Sequence, residues 1–105
     1  MKSRAGHDAV VLPPDLLARM ADVLKVLAHP QRLRILEILE SRAAPVHEIM
    51  KAAVLAQAAA SHHLNKMRRA GLIVAERRGK ETWYRVEDPS ALTILECIRK
   101  KHTGQ

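Results

Sequence analysis

Residues 57–86 read QAAASHHLNKMRRAGLIVAERRGKETWYRV, and the spacing of the apolar residues changes within this stretch. In its first half, apolar residues recur at steps of four and three: Ala60, Leu64 and Met67. This spacing predicts a helix from about Gln57 to Ala70 with one buried face. Gly71 follows, and glycine is the residue that most readily adopts the left-handed conformation that ends a helix.

After Gly71 the apolar period becomes two, which is the period of a β-strand. The segment RRGKE (77–81) then supplies turn residues, and TWYRV (82–86) returns with the same alternation. We therefore predict a two-stranded hairpin with Gly79 at its tip.

Four more helices are predicted around this stretch. The first is opened by Pro13 and Pro14 and ends near His29, and the second begins at Pro30, because proline suits the first turn of a helix. A third, short helix starts at Pro45. Asp88, followed by a proline, is a good N-cap for a fifth helix.

The chain has 105 residues, which is enough for one small domain, predicted over 13–105 after a flexible arm over 1–12. With one Trp, one Tyr and no Phe, the core must be aliphatic, which favours helices. No apolar stretch approaches the roughly 18 residues of a membrane span, and the N-terminus does not resemble a signal peptide. We expect a cytoplasmic protein that does not contact a membrane.

The formal net charge is +7, and most of the excess lies within residues 57–85. Such a concentration of positive charge favours an anionic partner, although charge alone does not separate nucleic acid from a membrane surface.

The arrangement of the fourth helix favours nucleic acid. The face opposite its apolar stripe carries small, polar and basic residues: Ala58, Ser61, His62, Asn65 and Arg69. A helix of this kind fits the major groove, where such side chains contact base edges and phosphates. The hairpin tip adds three cations that could neutralise a neighbouring phosphate backbone: Arg77, Arg78 and Lys80. The order of elements predicts a winged helix-turn-helix, mainly α with a small β-hairpin.

From about Met20 to Val86, the sequence resembles the ArsR/SmtB family of bacterial repressors. The resemblance is carried by VLKVLAHPQRLRILEIL, LAQAAASHHLNKMRRAGLIV and RRGKETWYRV. It implies that the helix beginning near Gln57 is the recognition helix, that its DNA-facing positions are Gln57, Ala58, Ser61 and His62, and that the first and last helices form a dimer interface. It also implies binding of double-stranded DNA at an inverted repeat, with release by an inducer that the sequence does not identify.

The sequence departs from the metal-sensing members of that family. Pro45 and His47 stand where those members carry a Cys-x-Cys-like pair, and Asp88 and His102 are only part of the ligand pattern of the last helix. We therefore expect no metal and no cofactor. Ala56 replaces the usual capping serine, which weakens the start of the recognition helix by about 1 kcal/mol.

Three polar residues of the recognition helix have competing interpretations. His62 and His63 are neighbours on a helix and point about 100° apart, so they cannot grip one metal from the same face. We expect His62 to contact DNA and His63 to pack near the dimer interface or the preceding helix. Arg68 is equally consistent with a phosphate contact and a structural ion pair.

The terminal helices are more apolar than one small domain requires, which predicts a homodimer. The predicted interface residues are Leu16, Met20, Leu24, Ile94, Leu95 and Ile98. Cys97, the only cysteine, cannot form a disulfide within the chain. We favour a buried small hydrophobic residue over a redox or metal sensor, although the sensor remains open.

A sequence-specific repressor is thus the leading hypothesis. The alternative is a winged-helix interaction or sensory module with little sequence-specific DNA binding. An enzyme is not expected, because the chain has no nucleophile motif and no phosphate-binding glycine loop.

Overall fold

The computed structural model describes residues 10–104. Over this range the chain forms five α-helices, one 3-10 turn and one three-stranded sheet. The helices are α1 (Pro14–Leu27), α2 (Pro30–Leu39), α3 (Val46–Ala53), α4 (Gln57–Arg69) and α5 (Thr93–His102). The strands are β1 (Ala44–Pro45), β2 (Ile73–Arg78) and β3 (Glu81–Val86), and the 3-10 turn is Pro89–Leu92.

The predicted winged helix-turn-helix is confirmed, and most of the predicted elements occur within a residue or two of the expected bounds. Prolines lie in the first turn of α1 and α2, as expected. Most of the arm predicted over 1–12, together with Gln105 at the end of the predicted domain, lies outside the described residues. Residues 10–13 have no regular secondary structure.

One aliphatic core joins the helices to the sheet. Its fully buried side chains come from α2, α3, α4 and the start of the hairpin: Ile35, Leu36, Ile49, Leu64, Met67, Leu72 and Ile73. Tyr84 and Val86 pack against this cluster from β3. The hairpin therefore grows out of the core, and its tip extends away from it.

The sheet differs from the expected two-stranded wing. Ala44 and Pro45 form a short strand that pairs antiparallel with β3, opposite Tyr84 and Trp83. Pro45 therefore belongs to β1 and caps α3, whereas the sequence had placed it inside that helix. The sheet order is β1-β3-β2, with β3 in the centre.

The beginning of the last helix also differs. The Asp88 carboxylate accepts a hydrogen bond from the Ser90 backbone N–H at 3.0 Å and another from its hydroxyl at 2.6 Å. The predicted cap is therefore confirmed, but it begins the 3-10 turn, and α5 starts only at Thr93. These hydrogen bonds to Ser90 hold the pKa of the Asp88 carboxyl below its ordinary value.

Candidate nucleic-acid interface

Helix α4 has two faces of opposite character. Ala60, Leu64 and Met67 are fully buried on the inner face, as their spacing predicted. The N-cap position before Gln57 is Ala56, which makes no side-chain capping bond, and Gly71 follows the helix with a φ of 80°. Because the inner face is fixed in the core, the orientation of the outer face relative to the rest of the domain is also fixed.

All seven residues predicted to face DNA from α4 are exposed: Gln57, Ala58, Ser61, His62, Asn65, Arg68 and Arg69. The helix contains no acidic residue, and its last turn carries Lys66, Arg68 and Arg69. Arg68 donates a hydrogen bond to Asn65 at 3.4 Å and forms no ion pair within residues 10–104. The outer face therefore combines hydrogen-bonding groups near the helix start with cations near its end.

The turn that joins α3 to α4 exposes a strained residue. Val54 adopts a left-handed conformation, with a φ of 56°, and is 87% exposed. A β-branched residue adopts this conformation only at a cost in free energy. The backbone N–H of Leu55 donates to the Met50 carbonyl at 2.9 Å, which closes the end of α3 and directs the chain into α4.

His63 packs against the start of α2. The sequence had predicted a packing role near the dimer interface or the preceding helix. His63 is only 6% exposed, and its Nδ1 accepts a hydrogen bond from Arg32 Nε at 3.0 Å. Its Nε2 lies 3.2 Å from Gln31 Oε1, which fits a neutral ring that donates to Gln31. The His29 ring meets it edge-on, with centroids 4.5 Å apart. Burial lowers the pKa of the His63 imidazole, and the charges of His29, Arg32 and His62 lower it further.

Arg32 is the centre of this contact and was not singled out from the sequence. Besides bonding His63 on α4, its guanidinium donates to the Val26 carbonyl in the last turn of α1 at 3.1 Å. One side chain of α2 thus connects α1 to α4. Its position between Gln31 and Leu33 in the first turn of α2 gave no signal of this role.

The wing presents its cations in three different ways. Arg77 lies 3.5 Å from the Thr82 hydroxyl across the hairpin. Arg78 pairs with Glu76 at 3.2 Å, and its guanidinium lies over the Trp83 ring, 4.4 Å from the centroid. Lys80 lies in the two-residue turn beside Gly79, which has a φ of 64°, and it is exposed.

A contact at hydrogen-bonding distance connects the wing to α3, the first helix of the helix-turn-helix. His47 Nδ1, on α3, lies 2.7 Å from Glu81 Oε2, at the start of β3. The two residues are 34 positions apart in the sequence, so no local pattern could reveal the pair.

The terminal helices expose the apolar surface that predicted a dimer. Leu17 and Leu24 on α1 are 52% and 49% exposed, and Met20 and Ile98 are also exposed. Leu16 and Ile94 are half-buried. Leu95 is an exception among the predicted interface residues, because it is 6% exposed and packs in the core of its own chain.

A bidentate ion pair holds α5 against α2. Arg99 donates to the two carboxylate oxygens of Glu40 at 2.9 and 2.6 Å. Arg99 thereby lowers the pKa of the Glu40 carboxyl, and the carboxylate in turn raises the pKa of the guanidinium.

Cys97 is exposed on α5, so the preferred interpretation of a buried small hydrophobic residue is wrong for the single chain. It follows the buried Leu95 by two positions, which turns it to the other side of the helix. Within residues 10–104, no group of three or more His, Cys, Asp or Glu side chains is placed to hold a metal ion. Over the same range, no helix is long and apolar enough to cross a membrane.

The chain is similar to known regulators in sequence. The family of bacterial regulatory proteins named arsR matches residues 29–74. The transcriptional repressor SmtB of Mycobacterium tuberculosis is 34% identical over 94 residues, which cover 89% of this chain and 68% of SmtB. The uncharacterized transcriptional regulator Rv0081 of the same species is 38% identical over 81 residues, which cover 76% of this chain and 71% of Rv0081.

Two solved structures have the same architecture. The crystal structure of Rv0081 gives a TM-score of 0.73 at 34% identity, covering 88% of this chain and 92% of that one. The homodimeric winged helix-turn-helix DNA-binding domain of Mb0332 from Mycobacterium bovis, a possible ArsR-family regulator, gives 0.75 at 28% identity, covering 85% of each chain. By sequence and by fold, this chain belongs to the arsR family of bacterial regulatory proteins.

Proposed function

We propose that two copies of this chain bind an inverted repeat in double-stranded DNA and repress transcription until an inducer releases them. The observation that carries the proposal is the exposed outer face of α4, which has no acidic residue and is fixed by a fully buried inner face. The role is one of binding and not of catalysis, and a regulator of chromosomal genes acts in the cytoplasm.

The chemistry of the side chains indicates which residues would contact bases and which would contact phosphates. Gln57, Ser61, His62 and Asn65 would contact base edges, because their polar groups can exchange hydrogen bonds in the major groove. Phosphate contacts would come from basic side chains of α4 and the wing: Arg68, Arg69, Arg77, Arg78 and Lys80. Such contacts position the protein on the duplex but do not distinguish one base sequence from another. Ala58 lies among the polar residues and offers a methyl group that suits a thymine methyl.

A dimer supplies the symmetry that an inverted repeat requires. The exposed leucines of α1 and Ile98 of α5 form an apolar surface on the terminal helices, and the related domain of Mb0332 is homodimeric. A dimer that places one α4 in each half-site should prefer half-sites about one helical turn apart. Repression is the activity named for the relative SmtB.

The test begins with the selection of bound DNA from a random pool, followed by titration of the selected sequence. Replacing both Ser61 and His62 with Ala should reduce the preference for the selected sequence by about tenfold or more, because each lost base contact is worth about 1–3 kcal/mol. A control variant, Ser41→Ala, removes a serine hydroxyl from an exposed position outside α4. It should leave the preference unchanged.

Two results would contradict the proposal. One is binding that depends on salt but shows no sequence preference, which would instead indicate a module that recognises acidic surfaces. The other is an unchanged preference after the Ser61 and His62 substitutions, which would show that α4 is not the helix that reads the bases.

A further inference from the structure

A groove of about 470 Å³ lies between α1 and the C-terminal half of α4. Its volume is within the range of about 300–1,000 Å³ that is typical of small-molecule sites. The apolar part of its lining is formed by half-buried side chains: Val23, Val26 and Ala70. Exposed charged side chains complete it: Arg19, Asp22, Lys66 and Arg69.

The cations of this groove differ from most other arginines of the described surface. Five arginines each have a carboxylate partner within ion-pair distance: Arg34, Arg42, Arg78, Arg85 and Arg99. Within residues 10–104, the three cations of the groove form no ion pair, and Asp22 is the acidic residue that lines the same groove. The groove thus combines an apolar floor with an excess of positive charge.

The groove lies on the side of α1 away from Leu17 and Leu24. Arg19 and Val26 follow these exposed leucines by two positions each, which corresponds to roughly 200° around a helix. Leu16 of the predicted interface lies seven positions before Val23, and so on the groove's side of the helix. A dimer contact through Leu17 and Leu24 that does not extend to Leu16 would leave the groove open.

We propose that this groove binds a small organic anion with an apolar body, such as an aliphatic carboxylate, and that this ligand is the inducer. The apolar body would cover Val23 and Val26, and the carboxylate would lie among Arg19, Lys66 and Arg69. The role as inducer rests on the function proposed above. A negative charge at the end of α4 would cancel the attraction of Arg69 for DNA phosphate and so weaken DNA binding.

The experiment uses decanoate as the probe, with decanol as a neutral probe of the same chain length. Binding to the full chain without DNA is followed by the NMR shifts of valine, leucine and alanine methyl groups. We expect decanoate to shift the methyl groups of Val23, Val26 and Ala70, and decanol to bind about fivefold more weakly or worse.

Lys66→Gln tests the charge of the groove, and Lys25→Gln is the matched control. Both lysines are exposed, and Lys25 lies on α1 outside the groove. Lys66→Gln should weaken decanoate binding by about threefold to fivefold, and Lys25→Gln should not change it. Three outcomes would overturn the proposed site. Decanol could bind as tightly as decanoate, the NMR shifts could be confined to Leu17 and Leu24, or the two substitutions could have equal effects.

The regulatory part is tested separately by titrating decanoate into the complex with the selected DNA. Decanoate should release DNA from the wild-type chain at lower concentration than from the Lys66→Gln variant. Release at the same concentration, or no release, would overturn the role as inducer. If the chain binds decanoate but no DNA, the proposed site is supported and the proposed function is refuted. If the chain binds DNA but not decanoate, only this inference is refuted.

Discussion

Lys80 offers the most direct test of phosphate contact by the wing. It lies in the two-residue turn at the tip of the hairpin and is exposed. Arg78 is less suitable, because it already pairs with Glu76 and lies over Trp83, so replacing it would disturb the hairpin as well as its charge. Lys80→Gln removes one positive charge without removing a core contact.

The expected size of the effect follows from the release of counterions. Each phosphate contact contributes about 0.9 to the slope of log affinity against log salt, so a dimer that loses Lys80 twice loses about 1.8. Between 50 and 200 mM salt, the wild-type affinity should therefore fall about twelvefold further than that of the variant. Fluorescence anisotropy with the selected DNA measures both slopes.

Lys100→Gln provides the control for net charge. Lys100 is exposed on α5, outside the proposed DNA face, and its replacement lowers the net charge by the same amount. The slope of this variant should equal the wild-type slope. If Lys80→Gln also leaves the slope unchanged, the wing tip does not contact phosphate and the reasoning is refuted.

Two further predictions concern the contact between α2 and α4. Arg32→Met removes the hydrogen bonds to His63 and Val26 while keeping an unbranched apolar stem, and it should lower the free energy of unfolding by about 2–4 kcal/mol in urea titrations. Arg34→Met, at an exposed ion pair of the same helix, should lower it by less than about 1 kcal/mol, and equal losses would contradict the role given to Arg32. Because the pKa of His63 is lowered by folding, its contribution to stability is present above the ordinary imidazole pKa and is lost as the pH falls below it. Wild-type stability should therefore fall between pH 7 and pH 5 more steeply than that of His63→Gln, and parallel curves would contradict this assignment.

Local patterns were sufficient to predict most of the fold. The bounds of α1 and α2 follow from prolines, which favour the first turn of a helix and disfavour helical conformation in the preceding residue. The inner face of α4 follows from the spacing of Ala60, Leu64 and Met67, because only one face of that helix can reach the core. The tip of the hairpin follows from Gly79, since its positive φ suits glycine.

What local patterns missed depends on contacts between distant parts of the chain. Strand β1 has two residues, too few to show any alternation, and it exists because β3 has a free edge beside it. Leu95 lies on the same apolar stripe as Ile94 and Ile98, and spacing alone does not show which of them faces the chain's own core. The exposure of Cys97 was missed for the same reason, because a residue at the edge of an apolar stripe can face either the core or solvent.

The third strand and the contact between His47 on α3 and Glu81 on β3 affect how the proposed interface would work. A free two-stranded hairpin would move relative to the recognition helix, and ordering it on DNA would reduce affinity. Here β3 is paired on both edges, Tyr84 packs against the core, and Glu81 bonds to His47 on α3. The wing is therefore fixed to the same body that orients α4 as far as Glu81, which directly follows the turn. Only Gly79 and Lys80 lie beyond the last paired residues of the hairpin, Arg78 and Glu81. Such an arrangement suits an interface in which α4 determines the sequence that is bound and the flexible side chain of Lys80 adjusts to a phosphate backbone whose geometry varies with that sequence.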